Sequence, residues 1–157
     1  MPEASFRLAY EEAVRALSAQ ADEHDSLRTR AGTILATSLL VTSFFGGQAL
    51  STEAPKGPLT LAWVAVVAFL VAGLFSLGVL FPTDLRFVSE VGEVVLLIES
   101  ASPPHEPYRE LSLSLAQRLD GNRVRINAMR WTFRISAVAV LAETAFWITY
   151  FAKGVSN

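Results

Sequence analysis

Cysteine is absent from all 157 residues, which excludes disulfides, thiol nucleophiles and thiolate metal sites together. Histidine occurs twice, as His24 and His105, and neither stands where it would activate one of the serines. The zinc-protease pattern is missing, because His105-Glu106 is followed by Pro107, Tyr108 and Arg109. There is no glycine-rich phosphate loop and no nucleophile elbow. We therefore expect no enzymatic activity, no cofactor and no metal. Charge is sparse as well, at 18% of residues, and the net charge is −2. The basic residues are scattered at helical spacing rather than massed, so no nucleic-acid partner is expected. Met1 to Ser5 lack a positive segment leading into an apolar core, so no cleaved signal peptide is expected and the first apolar run serves as the insertion signal.

What the chain has is long apolar runs. Residues 31–52 contain no acidic or basic side chain, residues 59–81 contain none, and residues 135–152 contain one, Glu143. A hydrocarbon core ~30 Å thick is crossed by about 20 apolar residues in a helix. A backbone in lipid must satisfy its own hydrogen bonds, so each run is expected to be helical. The expected fold class is all-α: an integral membrane unit of three transmembrane helices with cytoplasmic amphipathic helices. It is one domain overall, and lipid is its first partner.

Residues 1–30 read as an amphipathic helix, with Phe6, Tyr10, Ala13, Leu17, Ala21, His24 and Leu27 on one face at steps of three and four. Only Ser5 and Asp25 offer caps, so this helix is expected to continue into the first span. Ser51 to Pro58 carries two prolines and a glycine and reads as a turn. Trp63 stands near the start of the second span, a depth that indole favours, and Pro82 stops that span. Residues 82–134 form the second cytoplasmic segment. Within it, 85–100 fits either a helix face or a short strand, and helix is preferred because a lone strand has nothing to pair with. After a proline-rich break at 102–107, Leu111, Leu115, Leu119, Asn122, Ile126, Met129 and Phe133 make one helical stripe leading into the third span. A single helix over 108–151 would be about 66 Å long.

Orientation follows from the basic residues. Arg7, Arg15, Arg28 and Arg30 precede the first span, and Arg86, Arg109, Arg118, Arg123, Arg125, Arg130 and Arg134 lie between the second and third. Only Lys56 and Lys153 lie on the other side. The positive-inside bias then puts the amino terminus in the cytoplasm and the carboxyl terminus outside.

Glu143 is the most suggestive side chain. Holding an ionised carboxyl at mid-bilayer costs several kcal/mol on insertion scales. Matched by depth, Thr37, Thr42 and Ser43 of the first span and Ser76 of the second offer hydroxyls. Glu143 is either a polar point on a pore or proton path, or a hydrogen-bonded acid that fixes helix packing. Small residues at Ala65, Ala68, Ala72 and Ser76, and at Ser136, Ala139, Ala142 and Ala145, suit close helix approach within the chain or between copies. Glu90, Glu93, Glu99 and Glu106 fit no ligand-loop spacing and read as a solvated face. Arg118, Arg123, Arg125, Arg130 and Arg134 suit anionic headgroups, although topology alone also accounts for them.

The segment Asp25-Ser26-Leu27-Arg28-Thr29-Arg30-Ala31-Gly32-Thr33-Ile34-Leu35 and the segment Asn127-Ala128-Met129-Arg130-Trp131-Thr132-Phe133-Arg134, with the spacing of the spans, resemble the small membrane effectors of bacterial antiphage signalling. The nearest families are the Pycsar-type transmembrane effectors and the related SLATT domains. By that resemblance Arg30, Ala31, Gly32, Asn127 and Arg134 are the matching positions, and the acidic position is displaced to Asp25. The resemblance implies a homo-oligomer in a bacterial inner membrane that breaches it when a nucleotide messenger is sensed. The chain has no recognisable nucleotide-binding domain, so a separate cytoplasmic sensor is implied. The second reading is a non-enzymatic anchor that binds a partner through its cytoplasmic helices. A small transporter fits less well, since three spans hold one charge.

Overall fold

The computed structural model describes residues 2–51, 56–81 and 106–156, and the side chains of 7–51, 56–81 and 111–156. Three helices account for nearly all of them: α1, Pro2–Leu50; α2, Leu59–Leu80; and α3, Glu106–Val155. No strand occurs among the described residues. All three helices are long and apolar enough to cross a membrane. The helix-or-strand question at 85–100, and the acidic positions Glu90, Glu93 and Glu99, fall outside the described residues.

Alpha-1 runs without interruption from the amphipathic segment into the first apolar run, as no proline or cap intervenes. With 49 residues it is about 74 Å long, and α3 with 50 residues about 75 Å. The ends of α2 have local causes. Pro58 stands at its N-cap in extended backbone, and the Leu61 amide donates to the Pro58 carbonyl. Phe81 is extended, as a residue before proline prefers. No basic residue of α2 lies in its last turn; Arg28 of α1 supplies the charge instead, its Nη2 donating to the Leu80 carbonyl at 3.0 Å.

The chain divides into two compact units, Met1–Asp25 with Pro82–Ala128 and Ser26–Phe81 with Met129–Asn157. The divisions fall five and six residues before the boundaries at 30/31 and 134/135 read from charge. Packing and the last arginine before each apolar run mark different things. In the first unit Leu17, His24, Leu111, Leu115, Asn122 and Ile126 are buried, and Gln20 Nε2 donates to the Leu119 carbonyl.

In the second unit α1 and α3 run parallel, since Ser38 meets Glu143 while Phe45 stacks on Trp147 and packs at a tilt against Phe151. Alpha-2 runs the other way, with Arg28 at its end and Ala65 packed among Trp147 and Tyr150 near its start. Burial along α3 repeats in sevens. Leu115, Asn122, Met129, Ser136, Glu143 and Tyr150 are all buried. On α1 the same interval picks out Leu17, His24, Ala31 and Ser38. A seven-residue repeat is the seam of helices packed at a shallow angle. The opposite faces carry exposed apolar side chains, among them Leu40, Phe44, Trp63, Leu74, Val138 and Leu141. Such continuous exposed apolar surface is what lipid covers.

Candidate functional site

On α3, Glu143 is the single acidic or basic side chain between Arg134 and Lys153. At about 1.5 Å per residue those two basic residues stand ~28 Å apart along the helix, close to the thickness of a hydrocarbon core, with Glu143 near the midpoint. The side chain is completely enclosed. Ser38 Oγ donates to its Oε2 and Thr42 Oγ1 to its Oε1, each at 2.5 Å. Ser38 and Thr42 are one turn apart, so their hydroxyls rise one above the other on a single face of α1. The two donors thus hold the two oxygens of one carboxyl. Ser38 also lets the helices approach, because nothing bulkier separates α1 from α3 there.

A second polar contact lies seven residues earlier on α3. Ser136 Oγ donates to the Ala72 carbonyl at 2.9 Å and stands 2.6 Å from Ser76 Oγ. The Ser136 proton is committed to the carbonyl, so Ser76 is the donor between the two hydroxyls. Both serines are fully buried. Alpha-3 is therefore fastened to α1 through Glu143 and to α2 through Ser136.

Of the hydroxyls matched to Glu143 by depth, only Thr42 reaches it. Thr37 is exposed and donates to the Thr33 carbonyl of its own helix. Ser43 is exposed on the outward face of α1. Ser76 belongs to the Ser136 pair. The reason is helical phase: Thr37 and Ser43 are each one residue, about 100° of rotation, from Ser38 and Thr42. Ser38 was missed by sequence reasoning, although the interval Leu17, His24, Ala31 carried forward by seven lands on it. The small-residue stripe on α2 packs inward, with Ala65, Ala72 and Ser76 buried and Ala68 half-buried. On α3, Ser136 and Ala139 are buried, while Ala145 faces out.

The residues quoted for the family resemblance stand apart from this cluster. Ala31 is buried; Arg30, Asn127 and Arg134 are exposed. Gly32 has open space where a Cβ would stand. Arg134 lies over the ring of Trp131, 5.2 Å from its centroid.

At the far end of the unit Phe45, Trp147, Tyr150 and Phe151 pack ring against ring, with centroids 5.1 to 6.4 Å apart. The Trp147 Nε1–H is buried there without an acceptor among the described residues. Gly57 passes so close to the Tyr150 carbonyl that a Cβ at that position would collide with it. Among the described residues no group of histidine, aspartate and glutamate side chains could hold a metal ion. No protein-family model, curated protein or solved structure matches the chain.

Proposed function

We propose that the chain is a three-span protein of a bacterial inner membrane that rests in a closed packing and permeabilises that membrane when its cytoplasmic helices receive a signal. The amino terminus and the segment between α2 and α3 lie in the cytoplasm, and the carboxyl terminus lies outside. The observation that carries this reading is the enclosure of Glu143 by Ser38 and Thr42. A mid-span acid is costly to keep, and simple apolar packing would hold three helices without one. The seam also carries His24, Ser38, Asn122, Ser136 and Glu143 at buried positions that Leu or Ile would fill in a seam built for stability. Polar residues in such positions specify one register at a cost in stability. A seam of that kind suits a protein with two packings whose populations a partner can shift. The likeness of residues 25–35 and 127–134 to antiphage membrane effectors supports the same reading, with a separate sensor and self-assembly.

The test is induced expression with a membrane-potential dye. Depolarisation with growth arrest, lost or altered in Glu143→Gln while the protein still inserts, is the expected result. Full activity in that variant rejects the role given to Glu143, and a silent wild-type protein rejects permeabilisation. One observation favours a second reading. Alpha-1 and α3 are each more than twice the length a bilayer needs, which suits an anchor holding a partner protein. A silent membrane together with a defined co-purifying partner supports the anchor.

A further inference from the structure

The interior of the second unit changes character at Glu143. From Ser136 to Glu143, about 10 Å along α3, the buried side chains other than the acid are alanine or serine, Ser38, Ala72, Ser76, Ser136 and Ala139 among them. Beyond Glu143 the same seam is filled by rings: Trp147 and Tyr150 are buried, and Phe45 and Phe151 pack against them. A polar half of small side chains thus ends on the acid, and a bulky apolar half closes it. We infer that the path opened when this unit repacks conducts small monovalent cations, selected at Glu143 and shut at rest by the aromatic cluster. The inference rests on the permeabilisation proposed above and names what permeates.

The sign of the buried charge decides for cations. Arg30, Lys56, Arg130, Arg134 and Lys153 are exposed, and Arg28, the remaining basic residue of this unit, donates to the Leu80 carbonyl. Among the described residues of the unit, the charge inside the seam is therefore that of a carboxylate. The other polar side chains buried along the small-residue half, Ser38, Ser76 and Ser136, are hydroxyls. Hydroxyl and carboxylate oxygens carry lone pairs that can replace the water around a cation. Parting α1 from α3 takes Ser38 and Thr42 away from the carboxylate, and a cation then compensates the charge they leave behind. Even in water, a unit charge about 4 Å away favours a cation over an anion by roughly thirty-fold. Past the acid the rings offer no such oxygens, and an apolar constriction of that kind blocks ions by excluding water. Phe45 and Phe151 belong to α1 and α3, the two helices that the Glu143 contact joins. One separation therefore uncovers the acid and parts the rings.

The test reconstitutes the full-length protein in sealed liposomes holding more potassium chloride inside than outside. Potassium release in the presence of a proton carrier measures the leak, and the diffusion potential without the carrier gives the ion preference. Phe45→Ala and Phe151→Ala are each expected to leak without any signal and to make the interior negative, as potassium leaves ahead of chloride. Phe45→Leu, the milder change, should leak less with the same preference. Circular dichroism and recovery in the liposome fraction show which variants insert. Phe45→Ala/Glu143→Gln should still leak, with its preference for potassium reduced several-fold toward unity, and raising the salt should weaken the preference of Phe45→Ala itself. A leak that does not favour potassium, or a preference unchanged by Glu143→Gln, overturns the cation path and leaves permeabilisation standing. Inserted ring variants that stay tight overturn the aromatic closure, while depolarisation by the induced wild-type protein still upholds permeabilisation. Tight ring variants together with a silent wild-type protein in cells overturn both.

Discussion

Ser38 and Glu143, 105 positions apart in the chain, meet at 2.5 Å between two parallel helices. Thr42 completes the contact from one turn further along α1. Glutamine at position 143 keeps the shape of the side chain and one acceptor oxygen, and either hydroxyl can turn to a carbonyl of its own helix. Glu143→Gln is therefore expected to stay folded in detergent, with a loss of about 1 kcal/mol or less. Glu143→Ala also leaves a cavity and should lose about 2–4 kcal/mol. Denaturation in mixed micelles followed by circular dichroism separates the two; equal losses would refute the account of this contact.

Ser136 fastens α3 to α2 through a carbonyl and a hydroxyl at full burial. Ser136→Leu forces extra volume between the helices and is expected to destabilise by about 1–3 kcal/mol. Ser136→Ala keeps the close approach and leaves Ser76 free to turn to its own helix, so it should cost about 1 kcal/mol or less. The same micelle denaturation, run on both variants, ranks them.

Gly57 is a glycine whose missing side chain matters to a neighbour, because the Tyr150 carbonyl occupies the space. Gly57→Ala must displace the connection between α1 and α2 or the end of α3. A loss of about 1–3 kcal/mol is expected. Gly32→Ala has open space around it and should be neutral or slightly stabilising, by up to about 1 kcal/mol.

Arginine placement gives a prediction independent of packing. A reporter active only outside the cytoplasm, fused after Asn157, should be active, and one fused within 106–110 should not. The reverse pattern would overturn the orientation.

The three helices were legible because their cause is local: long apolar runs, few breakers, and prolines at both ends of α2. The inward face of the amphipathic segment was legible too, and Leu17, His24 and Leu27 are buried where their spacing put them. The partners of Glu143 were only half legible. Depth along a helix follows from counting residues, and counting brought Thr42 to the right level. Rotation about the axis depends on which face meets the neighbouring helix, and apolar runs that face lipid on one side and protein on the other carry little contrast to reveal it. Ser38 was hidden for that reason, whereas Ser136 was legible as a close-packing residue and only its hydrogen bonds to α2 were not.

The order of synthesis gives the Glu143 contact a further consequence. Alpha-1 leaves the ribosome first, so both hydroxyls that hold the acid are in place about a hundred residues before Glu143 emerges. The one segment with an acid in its middle is thus the last to enter the bilayer, and it arrives beside donors already waiting. A chain with α1 and α3 exchanged would have to insert the acid unaccompanied, which makes the order of the spans part of how this protein is assembled.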